Sequence, residues 1–233
     1  TSMLIFNNYH NPTAAESPHN ELEVLAEICM ENNLWVLSDE AYFEMRYEGE
    51  SESIASFPGM TERTVILYTF SKRFAMTGWR VGASIGPPEV MEIIGQLNVN
   101  DESCTNHFAQ WAMIEALEGG TEMCKPITDE LRVRRDVARD LLNGIKGVSV
   151  GSPSSTFYLF PKVTEVLENK GLRNSIELQE TVLKDTGVAF CPRGYFCTPL
   201  LDEKEHYVRF AYAGIGLDDI REGMARFKAY CEA

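Results

Sequence analysis

The first part of the chain sets short apolar runs around one amphipathic stretch. Met3-Leu4-Ile5-Phe6 is an apolar run closed by Asn7-Asn8, as a buried strand would be. Ser17-Pro18 then offers a capping residue and a proline suited to the first helical position. Leu22, Leu25, Ala26 and Cys29 recur at helical spacing, which predicts an amphipathic helix over 18–32. Leu34 to Leu37 is a second apolar run and opens into Ser38-Asp39-Glu40-Ala41-Tyr42. Thr64 to Thr69 predicts a third strand and Arg80 to Gly86 a fourth. Nearly continuous apolar strands around a helix imply an α/β sheet covered on both faces, and its first three strands can be parallel. Only about six residues separate the Ser71-Lys72 turn from the fourth run, too few for a crossover helix and enough for an antiparallel return.

From Pro87 to Gly119 the pattern is helical, and a further helix is predicted over 128–142, stopped by Asn143-Gly144. The texture then changes. Val148-Ser149-Val150, Thr156 to Phe160, Val188-Ala189-Phe190 and Tyr207 to Tyr212 are short strand-like runs. Helices are predicted over 175–186 and 218–231, the last with Ile220, Met224, Phe227 and Tyr230 on one face. This half reads as α+β, and the expected division is 1–124 for a first domain and 125–233 for a second.

Composition narrows the classes. With 233 residues, 44% apolar and 24% charged, the chain reads as ordinary globular protein. A formal charge of −14 leaves no basic stripe to replace phosphate counterions, which argues against nucleic acid as a partner. Six cysteines (Cys29, Cys104, Cys124, Cys191, Cys197, Cys231) lie without a C-x-x-C, and four histidines show no metal-ligand spacing. Reduced, mostly buried thiols and no metal site are the expectation. No segment approaches the roughly 18 apolar residues of a membrane span, and the N-terminus has no basic region followed by an apolar stretch; a cytoplasmic protein is expected.

In a doubly wound sheet ligands gather beyond the carboxyl ends of the strands. Three polar clusters fall there: His10-Asn11-Pro12-Thr13, Asp39-Glu40-Ala41-Tyr42, and Ser71-Lys72 with Gly78-Trp79-Arg80 behind it. Taken singly, an N-P-T is usually a turn, a D-E-A-Y often a helix start, and an S-K is commonplace. Their order and spacing say more. Asn11 to Asp39 is 28 positions and Lys72 to Arg80 is eight. Together with the nearly continuous match of Phe70 to Arg80, Thr156-Phe157-Tyr158-Leu159-Phe160-Pro161 and Val208-Arg209-Phe210, the chain resembles the fold-type I aminotransferases of the aspartate aminotransferase class. The likeness covers essentially the whole chain.

That resemblance implies part of the fold-type I large-domain sheet with flanking helices, followed by a smaller α+β C-terminal domain. It implies pyridoxal 5′-phosphate as cofactor and transamination between an amino acid and a 2-oxo acid through an aldimine on Lys72. Lys72, Asp39 and Tyr42 take the catalytic roles: Lys72 as aldimine and proton carrier, Asp39 as partner of the pyridine nitrogen, and Tyr42, with Asn11, as donor to the cofactor's phenolate oxygen. Arg80, Thr69 and Ser71 are the expected phosphate contacts. Arg209, with Asn11, is the expected clamp for the substrate α-carboxylate. Trp79 and Phe74 read as core packing. The resemblance also implies a homodimer, with amino acid and 2-oxo acid as the other partners.

Three departures bear on substrate more than on reaction type. The Gly of the family's N-P-T-G is Ala14, a mild change unless positive φ is needed there; its P-x-G-A-F-Y turn carries Ser155-Thr156; its Phe-Gly is Phe196-Cys197. The N-terminal arm, further strands and the backbone phosphate cup of the family have no counterpart here, which leaves sheet edges expected to be uncovered. Two alternatives stay open at this point: another reaction on the same scaffold, such as a lyase, synthase or oxidase, and a non-catalytic fragment that serves as an interaction module.

Overall fold

A computed structural model of the chain describes residues 1–198 and 200–233. It forms two compact units: residues 1–10 with 15–128, and residues 11–14 with 129–233.

In the first unit the strands β1 (Met3–Phe6), β2 (Trp35–Asp39), β3 (Thr64–Thr69) and β4 (Gly82–Ile85) lie side by side in the order β1-β2-β3-β4. The first three are parallel and β4 returns antiparallel, pairing Thr69 with Gly82. Glycine is needed at 82 because a Cβ there would stand 2.7 Å from the Tyr68 carbonyl oxygen. Helix α1 (His19–Glu31) buries Leu22, Ala26 and Cys29, and these pack with Val36, Ile54, Phe57 and Met60 into one core. A second core joins Phe70, Met76 and Val81 to Ala116.

Several sequence expectations are corrected here. Pro18, not Ser17, is the N-cap of α1, and the Ser17 amide instead donates to Asn8 Oδ1 at 2.9 Å. The helical pattern over 87–119 is interrupted after residue 101. Helix α2 (Pro88–Asp101) ends where Glu102 and Ser103 both donate to the Asn98 carbonyl and Ser103 turns left-handed at φ 64°. The span α3 (His107–Asn143) is two helical segments joined at a kink: Gly120 leaves helical geometry at φ 59° and ψ −152°, next to the expected end at Gly119, and the second segment begins ahead of the expected residue 128. Trp79 is not core: it is 46% exposed and meets Phe108 edge-on, whereas Phe74 does stack on Phe70.

The second unit carries a small antiparallel sheet in the order β5-β7-β6, from Tyr158–Leu159, Val208–Ala211 and Cys191–Pro192. The strand expected at 188–190 lies instead at Cys191–Pro192, and that expected at 148–150 shrinks to one bridge, Ser149 with Lys162. Helix α4 (Thr164–Lys170) had no sequence expectation. Helix α5 (Ser175–Thr186) is capped by Asn174, whose side chain accepts from the amides of Ile176 and Glu177, and is closed by Gly187 at φ 74°. Helix α6 (Leu217–Glu232) buries Ile220, Met224, Phe227 and Cys231; Tyr230 sits at the margin and bonds Thr181 through its hydroxyl at 2.7 Å. Phe190, Phe210 and Phe227 form a ring cluster with centroids 5.0–5.7 Å apart.

Of the six thiols, Cys29, Cys124 and Cys231 are buried, Cys191 is half-buried, and Cys104 and Cys197 are exposed, so burial is less general than composition suggested. Among the described residues no helix is long and apolar enough to cross a membrane.

Candidate active site

Strand polarity delivers the first group of candidate residues. The parallel strands β2 and β3 end at Asp39 and Thr69, so both residues stand at the carboxyl edge of the first unit's sheet. Asp39 is half-buried; its carboxylate accepts from the Ala41 amide at 3.2 Å, and its carbonyl accepts from Asn7 Nδ2 at 2.8 Å. The turn this makes carries Tyr42 inward, where it is 3% exposed. Beyond β3 the chain folds tightly on itself. Thr69 Oγ1 accepts from the Ser71 amide at 3.2 Å, Thr77 Oγ1 donates to the Ser71 carbonyl at 2.9 Å, and Ala75 donates to the Lys72 carbonyl at 3.2 Å. Lys72 leaves this turn with its Nζ 5.8 Å from the centroid of the Tyr42 ring.

Arg80 closes the short 3-10 turn Thr77–Trp79 in the left-handed region, at φ 54° and ψ 56°. For a non-glycine residue that conformation costs about 1–2 kcal/mol. Its exposed guanidinium donates to the Thr77 carbonyl at 3.0 Å and has no acidic partner among the described residues. The structure thus brings Lys72 to Tyr42 and Ser71 to Thr69. It forms no hydrogen bond or ion pair from the side chains of Asp39 or Arg80 to the other named residues.

The second group belongs to the second unit. Asn11 precedes a cis peptide bond to Pro12, and its Oδ1 accepts from Arg209 NH1 at 2.6 Å. Arg209 projects from β7. Its guanidinium carbon lies 4.4 Å from the Tyr158 ring centroid and 4.8 Å from that of Phe196, its NH2 is 3.5 Å from Cys191 Sγ, and its buried Nε has no hydrogen-bond partner among the described residues. A cation held by an amide, a thiol and two π faces keeps its charge available for an anion. Tyr158 also lines a cavity of about 220 Å³ with Thr13, Ala14 and Pro153.

Sequence reasoning missed the supports. Glu44 joins the Tyr68 hydroxyl to the guanidinium of Arg73, the residue after Lys72. Burial raises the Tyr68 phenol to about 12. Asn8 is 5% exposed and its Oδ1 gathers the amides of Tyr9 and Ser17. The one available signal is Asn7-Asn8, two amides ending an apolar run, which by itself marks only a strand end. Glu44, Arg73 and Cys191 carried no pattern of their own.

Known proteins resemble this chain along its length. The family model described as aminotransferase class I and II matches residues 1–227. The aspartate aminotransferase of Sulfolobus acidocaldarius is 33% identical over 230 residues, 99% of this chain and 56% of that enzyme. Aromatic-amino-acid aminotransferase 2 of Thermococcus litoralis is 34% identical over 98% of this chain and 57% of its own length. Among solved structures, an aromatic aminotransferase from Pyrococcus horikoshii OT3 superposes with a TM-score of 0.89 at 33% identity, over all of this chain and 60% of that one. The chain therefore spans between half and two thirds of the length of these relatives. With its α/β sheet, its turn from Thr69 to Arg80 and a family match over nearly all its residues, the chain belongs to the class I and II aminotransferases of fold type I.

Proposed function

We propose that the whole protein moves an amino group between an amino acid and a 2-oxo acid with pyridoxal 5′-phosphate, the cofactor of this family. The observation that carries the reading is the approach of Lys72 to Tyr42 beyond the carboxyl ends of β2 and β3, where Asp39 also stands. The donor set suits this cofactor: a primary amine, a half-buried carboxylate, a buried phenol, and a guanidinium without an acidic partner. When bound, the cofactor supplies an aldehyde for amine exchange and a pyridinium ring that takes up an electron pair.

Each residue then has a task. Lys72 Nζ would hold the cofactor covalently and, as a free amine, would carry a proton to and from substrate Cα. The Asp39 carboxylate would accept from the pyridinium N–H and hold that nitrogen protonated. The Tyr42 hydroxyl would donate to the ring oxygen. Arg80 binds phosphate through its planar fork, with the hydroxyls of Thr69 and Ser71 beside it. Arg209, steered by Asn11, binds the substrate α-carboxylate; its neutral surroundings and unpaired Nε support this assignment.

A homodimer in the cytoplasm goes with this reading, and the unpaired thiols support a reducing compartment. Light scattering on the whole protein tests the dimer. The reaction is tested by borohydride reduction of the cofactor-loaded whole protein with peptide mapping, beside an assay for glutamate formed from 2-oxoglutarate. Label on Lys72 together with glutamate is the expected result. Label on another lysine would sink the assignment, and ammonia or peroxide release without glutamate would sink the reaction class.

A further inference from the structure

We propose that Cys191 sets the charge preference of Arg209: a weak, neutral acceptor at this position keeps the guanidinium free for a carboxylate substrate. The inference rests on the reading of Arg209 as the carboxylate site. Cys191 and Arg209 are direct partners in the antiparallel pairing of β6 with β7. Residues so paired present their side chains to the same face, and their Cβ atoms stand about 4.5–5.5 Å apart. The thiol meets Arg209 NH2 at 3.5 Å. Sulfur is a poor acceptor, so this contact orients one nitrogen without neutralising the cation. Among the described residues the remaining contacts of the guanidinium are equally uncharged: the Asn11 amide oxygen at 2.6 Å and the rings of Tyr158 and Phe196.

A carboxylate at position 191 would stand opposite Arg209 and pair with it. An incoming substrate carboxylate would then have to displace a tethered one of the same chemistry. Specificity here comes from the absence of a competing charge, which makes residue 191 a positioning residue with a charge requirement.

The half-buried thiol also permits a direct reading of the local field. Iodoacetate and iodoacetamide both alkylate a thiolate; the S–C bond forms, the C–I bond breaks, and iodide leaves with the thiol proton already in solvent. They differ in that iodoacetate carries a carboxylate that Arg209 would attract. In the whole protein, the iodoacetate-to-iodoacetamide rate ratio at Cys191 is expected to exceed that at exposed Cys104 by about fivefold or more, read by peptide mass spectrometry. Arg209→Gln should remove the difference.

In steady-state kinetics of the cofactor-loaded whole protein, Cys191→Asp should raise KM for the amino acid roughly tenfold or more with kcat within about twofold. Cys191→Asn, isosteric with the Asp variant, and Cys191→Ser should leave KM within about threefold. If Asp and Asn raise KM alike, only volume matters and the inference is overturned. If Arg209→Gln leaves KM unchanged, the carboxylate reading itself fails. Should Cys191→Asp not fold, the labelling ratio on the unaltered protein decides: equal ratios at Cys191 and Cys104 overturn the proposal.

Discussion

Glu40 sits one residue from Asp39 and is 6% exposed, accepting hydrogen bonds from the hydroxyls of Ser38 and Ser53. Burial pushes its carboxyl above the ordinary range; the two hydroxyls draw it partly back, and the charge of Asp39 pushes it up further. A carboxyl raised in the folded state contributes stability below its unfolded pKa and loses it as pH rises through the folded one. Glu40→Gln keeps an acceptor for both hydroxyls and removes the charge. It should stabilise the protein at pH 7, within the ~0.5–3 kcal/mol span of single substitutions, and stabilise it less at about pH 4. Urea unfolding at both pH values checks this, and a gain equal at both would exclude charge as the cause. Two strained residues were half legible in the sequence. Ala14, where the family pattern has Gly, does adopt φ 56°, and Thr156 in the altered turn adopts φ 66°. Such a backbone costs about 1–2 kcal/mol without glycine's freedom. What the sequence withheld is that the Thr156 hydroxyl accepts from the Tyr158 amide at 3.2 Å, and its carbonyl from the Tyr212 hydroxyl.

At the scale of elements, the turn carrying Lys72 is tied to the turn carrying Tyr42 by Glu44, which contacts both Tyr68 of β3 and Arg73. The Arg73 side chain is 9% exposed and that of Glu44 30%, so the pair is shielded on one side only. Breaking a fully buried pair costs about 3–5 kcal/mol; this half-open one should cost about 2 kcal/mol in Glu44→Gln, read by chemical denaturation. A loss below about 0.5 kcal/mol would show that solvent already carries the pair. Ser103 makes the opposite prediction. It is exposed, left-handed at φ 64°, and directly follows the cap of α2. Ser103→Gly should therefore stabilise by about 0.5–1 kcal/mol in the same assay, and destabilisation would mean its side chain matters to that turn. Apolar runs marked β1 and β3, and helical spacing found α1 and α6, whose buried residues recur along one face. Periodicity misplaced β6, since two residues hold no period, and overlooked α4, whose seven residues bury only Val166 and Leu167. The break at Ser103 was hidden because no Gly or Pro marks it.

At the scale of the whole chain, large apolar side chains are exposed in the first unit. Ile5 on the outer strand β1 is 72% exposed, Leu97 of α2 63% and Trp111 of α3 62%, while every residue of β4 is exposed. Edge strands and apolar faces left open in this way promote association, although a net charge of −14 opposes it. These 233 residues on their own should bind a hydrophobic dye and self-associate, and Leu97→Lys with Trp111→Lys should reduce both without lowering thermal stability. Dye fluorescence and sedimentation read the outcome; a monomer that binds no dye would refute it. The bond between Asn11 and Arg209 has a consequence in time as well as in space. Its partners are 198 residues apart in the chain. At roughly 5–20 residues per second a ribosome delivers Arg209 about 10–40 s after Asn11. Through that interval the Asn11–Ala14 segment waits without its companion, and the contact forms only after β7 has been made.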